Sequence, residues 1–231
     1  MSSEHQEHES YLTLRTDIAA VAEKNGRSPA EIILVAVSKG VSWPQMQEVY
    51  AAGCRDFGEN RLPEALEKME QAPKDIRWHF IGNLQKNKVR KVIGRFAYIH
   101  SVDSLELAQK ISSCSHEMNL TTHILLQVNT SGEQSKQGLT PEECIAQFDS
   151  FEKLSHIKIE GLMTMAPLTE DTKIIHDSFA RLRHLRDQLS VKFQLLQLSM
   201  GMSHDWQIAI EEGATMLRIG TAIFHSQQWQ K

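Results

Sequence analysis

The order in which its patterns alternate constrains this chain most. Strand-like apolar runs occur at 32–37 (IILVAV), 56–59, 78–82, 98–102, 123–129, 157–165, 195–199 and 216–224. Each is separated from the next by a helical stretch. The first helix is capped by Ser42, starts near Pro44 and carries Met46, Val49, Tyr50 and Ala51 before Gly53 ends it. The others span 61–71, 85–94, 104–117, 140–153, 171–189 and 204–212. Strict alternation implies a parallel sheet with right-handed crossovers, and eight such units are what closure needs. The expected class is therefore α/β, a single (β/α)8 TIM-type barrel. An open doubly wound sheet is disfavoured, because no G-x-G-x-x-G opens the first helix.

Leu12, Leu14, Ile18, Val21 and Ala22 recur at helical spacing before Gly26 and Pro29, which adds an extra N-terminal helix. Residues 1–9, polar and acidic, are expected to be a disordered leader, and no Pro-, Gly- or Ser-rich linker divides 10–231, so one domain is expected there.

An apolar content of 41% supports a substantial core, and 29 acidic against 25 basic residues give no global attraction to nucleic acid or to an acidic membrane surface. No apolar run reaches the roughly 18 residues of a membrane span, and the N-terminus lacks the basic and then apolar pattern of a secretory signal. Cys54, Cys114 and Cys144 are an odd number without C-x-x-C spacing, so reduced thiols in the cytoplasm are expected, without metal.

Ligands of such barrels sit at the carboxyl ends of the strands. Here those ends are polar: Ser38-Lys39, Gly58-Glu59-Asn60, Gly82-Asn83, Asn129-Thr130-Ser131, Met163-Thr164-Met165, Ser199 to Ser203, and Arg218 to Thr221. A lysine partly desolvated at a barrel mouth loses preference for its charged form, and a neutral amine attacks carbonyls. Lys39 is thus a Schiff-base candidate, for a sugar or for pyridoxal phosphate. SMGMSHDW places Gly201 and Ser203 before a helix expected near His204, and RIGTAIF adds Gly220 and Thr221; together they read as a phosphate cradle. Arg218 shares the inward face with Gly220 by strand alternation, so it must be paired or bound to a ligand. Against a pyridine nitrogen it would keep that nitrogen unprotonated and weaken the ring as an electron sink.

With VAVSKG around Lys39, FGENR around Asn60, WHFIGNLQKNK, VNTSGEQSKQGL, GLMTMAP and LSMGMSHDWQIAIEEGATMLRIGTAIF in place, the chain resembles the pyridoxal phosphate homeostasis protein family, related to the barrel domain of alanine racemase. The resemblance implies an alanine-racemase-like barrel that carries pyridoxal 5'-phosphate (PLP) as a Schiff base on Lys39. Ser203, Gly220 and Thr221 would hold the phosphate, Arg218 would face the pyridine nitrogen, and Asn60 and Met163 would line the ring pocket. It further implies a vitamin B6 homeostasis role, buffering the cofactor and delivering it to PLP-dependent apo-enzymes, without substrate turnover. The chain departs from related sequences in lacking a second lysine after Lys39, in Arg61 where tyrosine is usual, and in His225 where glycine is usual. Lys136 is then the candidate for a second cofactor contact.

The competing readings are a PLP-dependent amino-acid racemase or decarboxylase and a sugar-phosphate aldolase. Two-base racemisation needs an acid or base on each face of the ring, and alanine racemase, which the chain resembles, takes one of them, a tyrosine, from a C-terminal β-domain of the partner chain. The sequence ends seven residues after Phe224, so that domain is expected to be absent and a monomer is favoured. Other features read as structure. His79 is expected to be a hydrogen-bonded strand residue. Lys86, Lys88, Arg90, Lys91 and Arg95 form a solvated helix face, His5 and His8 are leader residues, and Asp205 complements a helix N-terminus.

Overall fold

The computed structural model describes residues 6–133 and 137–224. Eight parallel strands close in sequence order: β1 (Ile33–Val37), β2 (Asp56–Glu59), β3 (Arg77–Phe80), β4 (Tyr98–Val102), β5 (Thr122–Gln127), β6 (Ile157–Met163), β7 (Gln197–Ser199) and β8 (Met216–Ile219). Closure is made by β1 on β8, with Val35 opposite Arg218 and Ala36 opposite Ile219. The expected barrel is the observed one.

The helices run α1 (Gln6–Lys24), α2 (Trp43–Ala51), α3 (Leu62–Gln71), α4 (Val89–Val92), α5 (Leu105–Glu117), α6 (Pro141–Glu152), α7 (Thr172–Ser190), α8 (Trp206–Glu211) and α9 (Thr221–Phe224). Local chemistry starts several of them. Thr140 and Glu143 form a reciprocal capping box on α6, with Pro141 in its first turn, and Ser104 caps α5 through the Leu107 N–H. Alternate strand residues bury outward against these helices: Leu34, Ala36, Phe57, Trp78, Phe80, Ile99, Ile124, Leu126, Leu162, Leu198, Leu217 and Ile219 all belong to the main core. The other alternation fills the barrel interior, where a small apolar cluster of Leu125, Met163 and Met216 lies with polar groups.

Several boundaries differ from the sequence expectation. The leader, expected to be disordered through residue 9, is helical from Gln6, because Glu7 and Glu9 occupy a first turn where acidic side chains complement the helix dipole. The eighth strand stops at Ile219, and TAIF is one helical turn. The stretch at 85–94 divides into a 3-10 turn, Lys86–Lys88, and the short α4. The helix expected near His204 begins at Trp206. His5, Lys136 and His225 lie outside the described residues.

Candidate functional site

The site begins with the turn that carries Lys39. β1 ends at Val37, the Ser38 N–H donates to the Gly58 carbonyl, and the Val41 N–H returns to the Ser38 carbonyl at 3.0 Å. Lys39 and Gly40 are the two corners of that turn, and Gly40 has φ +70°, a value that favours glycine. Lys39 is exposed at this turn, and not partly desolvated as expected for a lysine at the barrel mouth.

Beneath the turn lies a buried ion pair that sequence reasoning missed. Lys68 of α3 donates Nζ to Glu59 Oε1 and to the Ser38 carbonyl, each at 2.6 Å, and Ser38 Oγ donates to the same Glu59 oxygen at 2.6 Å. Glu59 is 0% exposed. The available signal was Lys68 on the apolar face of its helix, following Leu62 and Ala65 at three-residue spacing.

Closure of the barrel brings the far end of the chain beside this turn. Arg218 lies next to β1 and is buried, as the strand alternation predicted. Its Nη1 donates to Ser199 Oγ at 2.6 Å and its Nη2 to the Thr164 carbonyl at 2.9 Å. These partners are neutral. Burial lowers its pKa to about 10, with the charge of Asp205 opposing that fall.

Gly220 follows on the same strand line, and a Cβ there would stand 3.0 Å from the Val37 carbonyl oxygen, so the two backbones approach at the rim as only glycine permits without a shift. Ser203 Oγ accepts the Ala222 N–H at 3.4 Å, which ties the loop after β7 to the start of α9, where Thr221 lies exposed. Asp205 does not cap its helix by its side chain; it accepts the Met202 N–H and stabilises the Ser203 loop. Burial raises its carboxyl above the usual range, against the lowering effect of that N–H and of Arg218.

Asn60 follows β2, and its buried Oδ1 has no hydrogen-bond partner among the described residues. Gly82 makes room for it: a Cβ there would fall 2.2 Å from the Asn60 carbonyl oxygen. Met163 is 1% exposed, inside the barrel with Leu125 and Met216. The basic run divides by partner. Lys86 pairs with Glu106 and Arg90 with Glu117, while Lys88 and Lys91 line a cavity of about 390 Å³ with Asn60, Arg61, Leu66 and Phe80.

Lys39, Asn60, Ser203, Arg218, Gly220 and Thr221 thus gather at the carboxyl ends of β1, β2, β7 and β8, with Met163 closing β6. Such a set can bind an anion through its hydroxyls, backbone and guanidinium. Among the described residues the buried guanidinium is bonded to no carboxylate and the Asn60 amide oxygen has no partner, while hydroxyls stand after β7 and β8 and a primary amine stands in the turn after the adjoining β1.

The fold and this rim define a barrel of the alanine racemase N-terminal class. The family model described as the alanine racemase N-terminal domain matches residues 13–228. The pyridoxal phosphate homeostasis protein of Aquifex aeolicus is 40% identical over 215 residues, covering 92% of this chain and 94% of that one. The Pseudomonas aeruginosa protein of the same name is 43% identical over 213 residues, 92% of each. The solved structure of PipY from Synechococcus elongatus with PLP bound superposes with a TM-score of 0.80 at 37% identity, covering 90% of this chain and 99% of that one. An alanine racemase from Clostridium difficile, at 17% identity and a TM-score of 0.72, shares the fold. The chain belongs to the pyridoxal phosphate homeostasis protein family.

Proposed function

We propose that this protein binds PLP at the carboxyl end of its barrel, holds it as a Schiff base on Lys39, and serves PLP homeostasis in the cytoplasm without turning over a substrate. The observation that carries this reading is the buried Arg218, held by neutral partners on a strand that pairs with β1, which leads into the Lys39 turn. The names of the relatives and the PLP bound in PipY support it.

PLP supplies an aldehyde that condenses with a primary amine and a pyridine ring that draws electrons from it. In this chain the Lys39 amine is the group that meets the aldehyde. Ser203 and Thr221 offer hydroxyls to the phosphate, and Gly220 leaves the backbone accessible to it. Arg218 would offer a donor to the ring nitrogen and, by its charge, would keep a proton off it, which would suit holding a cofactor and disfavour carbanion chemistry. Asn60 and Met163 border the ring. Tyr11 and Tyr50 lie on outer helices and Tyr98 opens β4 at its amino end, so the second base of a racemase has no tyrosine at this rim. In this reading PLP-dependent apo-enzymes are the recipients, and the protein works as a monomer.

The test is an absorption spectrum with added PLP, then borohydride reduction and peptide mapping. The reading expects a visible band and a pyridoxyl group on Lys39, both lost in Lys39→Ala. An unchanged band in that variant, or D/L interconversion or decarboxylation of amino acids at enzymatic rates, sinks it.

A further inference from the structure

The barrel interior holds a continuous polar chain that ends on Arg218. Arg77 Nε donates to Asp56 Oδ1 at 2.7 Å, and His79 Nε2 lies 3.0 Å from the same oxygen. His79 Nδ1 is 2.9 Å from His100 Nε2, and His100 Nδ1 is 2.8 Å from Ser199 Oγ, the atom that accepts Arg218 Nη1. His79, His100 and Ser199 are each 0% exposed, and Tyr98 stacks on the His79 ring at 5.1 Å between centroids. The links come from β2, β3, β4, β7 and β8, so no single segment encodes the chain.

With one proton on each imidazole, these distances permit one self-consistent arrangement. Asp56, ionised beside Arg77, accepts only, so His79 carries its proton on Nε2. Its Nδ1 is then an acceptor, which places the His100 proton on Nε2. The His100 Nδ1 therefore accepts the Ser199 hydroxyl proton, and Ser199 Oγ accepts from Arg218. Every donor points from the buried cation toward the buried carboxylate, and aligned bonds of this kind polarise and strengthen one another. The Thr164 carbonyl takes the second guanidinium edge, so the plane of Arg218 is set from two sides.

We propose that Asp56, His79, His100 and Ser199 are positioning residues that hold Arg218 charged and oriented, so that its remaining N–H groups are available to the cofactor ring. The relay rests on the reading that Arg218 faces that ring. It also connects the rim to Arg77 at the amino end of the barrel, whose side chain is 58% exposed.

The test has one arm without cofactor. Nitrogen-15 NMR of the histidine rings in the cofactor-free protein is expected to show both His79 and His100 protonated on Nε2. Ser199→Ala is expected to perturb the signals of both rings and to raise the PLP dissociation constant roughly tenfold, the loss of one hydrogen bond to a charged group. His100→Leu is expected to do the same, and His100→Asn to recover most of the loss, because its amide oxygen accepts from Ser199; this pair serves if Ser199→Ala fails to fold. A ring protonated on Nδ1, or Ser199→Ala and His100→Leu proteins that bind PLP like the parent, overturns the relay while leaving the PLP reading intact. A parent that takes up no PLP overturns the functional reading and the positioning role with it, whatever the tautomers.

Discussion

Lys68 Nζ lies 2.6 Å from the Ser38 carbonyl and 2.6 Å from Glu59 Oε1, so a buried ion pair on the helical side of the barrel anchors the turn that presents Lys39. The carbonyl that Lys68 engages is the one that closes the turn with the Val41 N–H. Helix α3 and the turn that carries Lys39 are linked through this single oxygen at the end of β1.

Removing one partner leaves the other charged and buried, which costs about 3 to 5 kcal/mol. Lys68→Met is therefore expected to lower the free energy of unfolding by that amount in a urea titration. The double variant Lys68→Met with Glu59→Leu is expected to recover a large part of it, since a well-packed apolar pair replaces the ion pair. A double variant no more stable than the single one would show that the pair contributes by geometry and not by compensation of charge.

Gly82 is the closest fit at the rim, with Asn60 backbone where a side chain would begin. Gly82→Ala is expected to destabilise by about 1 to 3 kcal/mol, the usual cost of forced overpacking. It is also expected to weaken PLP binding, because relief of the clash moves Asn60. Thermal unfolding together with a PLP titration measures both, and an unchanged titration would separate Asn60 from the site.

Burial, followed by the electrostatic influence of its neighbours His79 and Arg218, holds the His100 pKa well below the ordinary histidine value. The unfolded chain takes up a proton near pH 6.5 that the folded one refuses, so stability falls as pH drops below that value, by up to about 1.4 kcal/mol per pH unit for this one group. Asp56 acts at lower pH. Burial would raise its carboxyl, but hydrogen bonds from His79 and Arg77 outweigh that and hold it below the ordinary value, so its contribution is present above about pH 4 and is lost as pH falls through the folded pKa. Denaturation midpoints at pH 7.5 and 5.5 are expected to differ less in His100→Asn than in the parent. Equal differences would mean that His100 is protonated in the folded state.

The three cysteines are free and buried, and burial pushes the Cys54 and Cys144 thiols up to about 12. A thiol reagent is expected to label none of them in the native protein and all three in denaturant, read by mass spectrometry. Rapid labelling of the native chain would place at least one of them outside the packed core.

The barrel was legible because each strand and each helix announces itself within a few residues, and the count and order of such local signals dictate a closed parallel sheet. Arg218 was legible too, since alternation from Gly220 makes it face inward. Its partners were not. His79 lies 21 residues from His100, and His100 lies 99 from Ser199, so nothing local marks them as one chain of bonds. Two histidines in mid-strand, each on the inward alternation, were the only trace.

Lys39 shows the same division. Its place just past an apolar strand identified it as a candidate, but its exposure was decided by the turn at Gly40 and by Lys68 from a helix that arrives later in the chain. The sequence alone determined which elements form and in what order, because periodicity and capping are properties of neighbours. Only the tertiary structure decided which polar groups share a buried volume, because in low dielectric each must find its partner across the barrel, wherever closure places it.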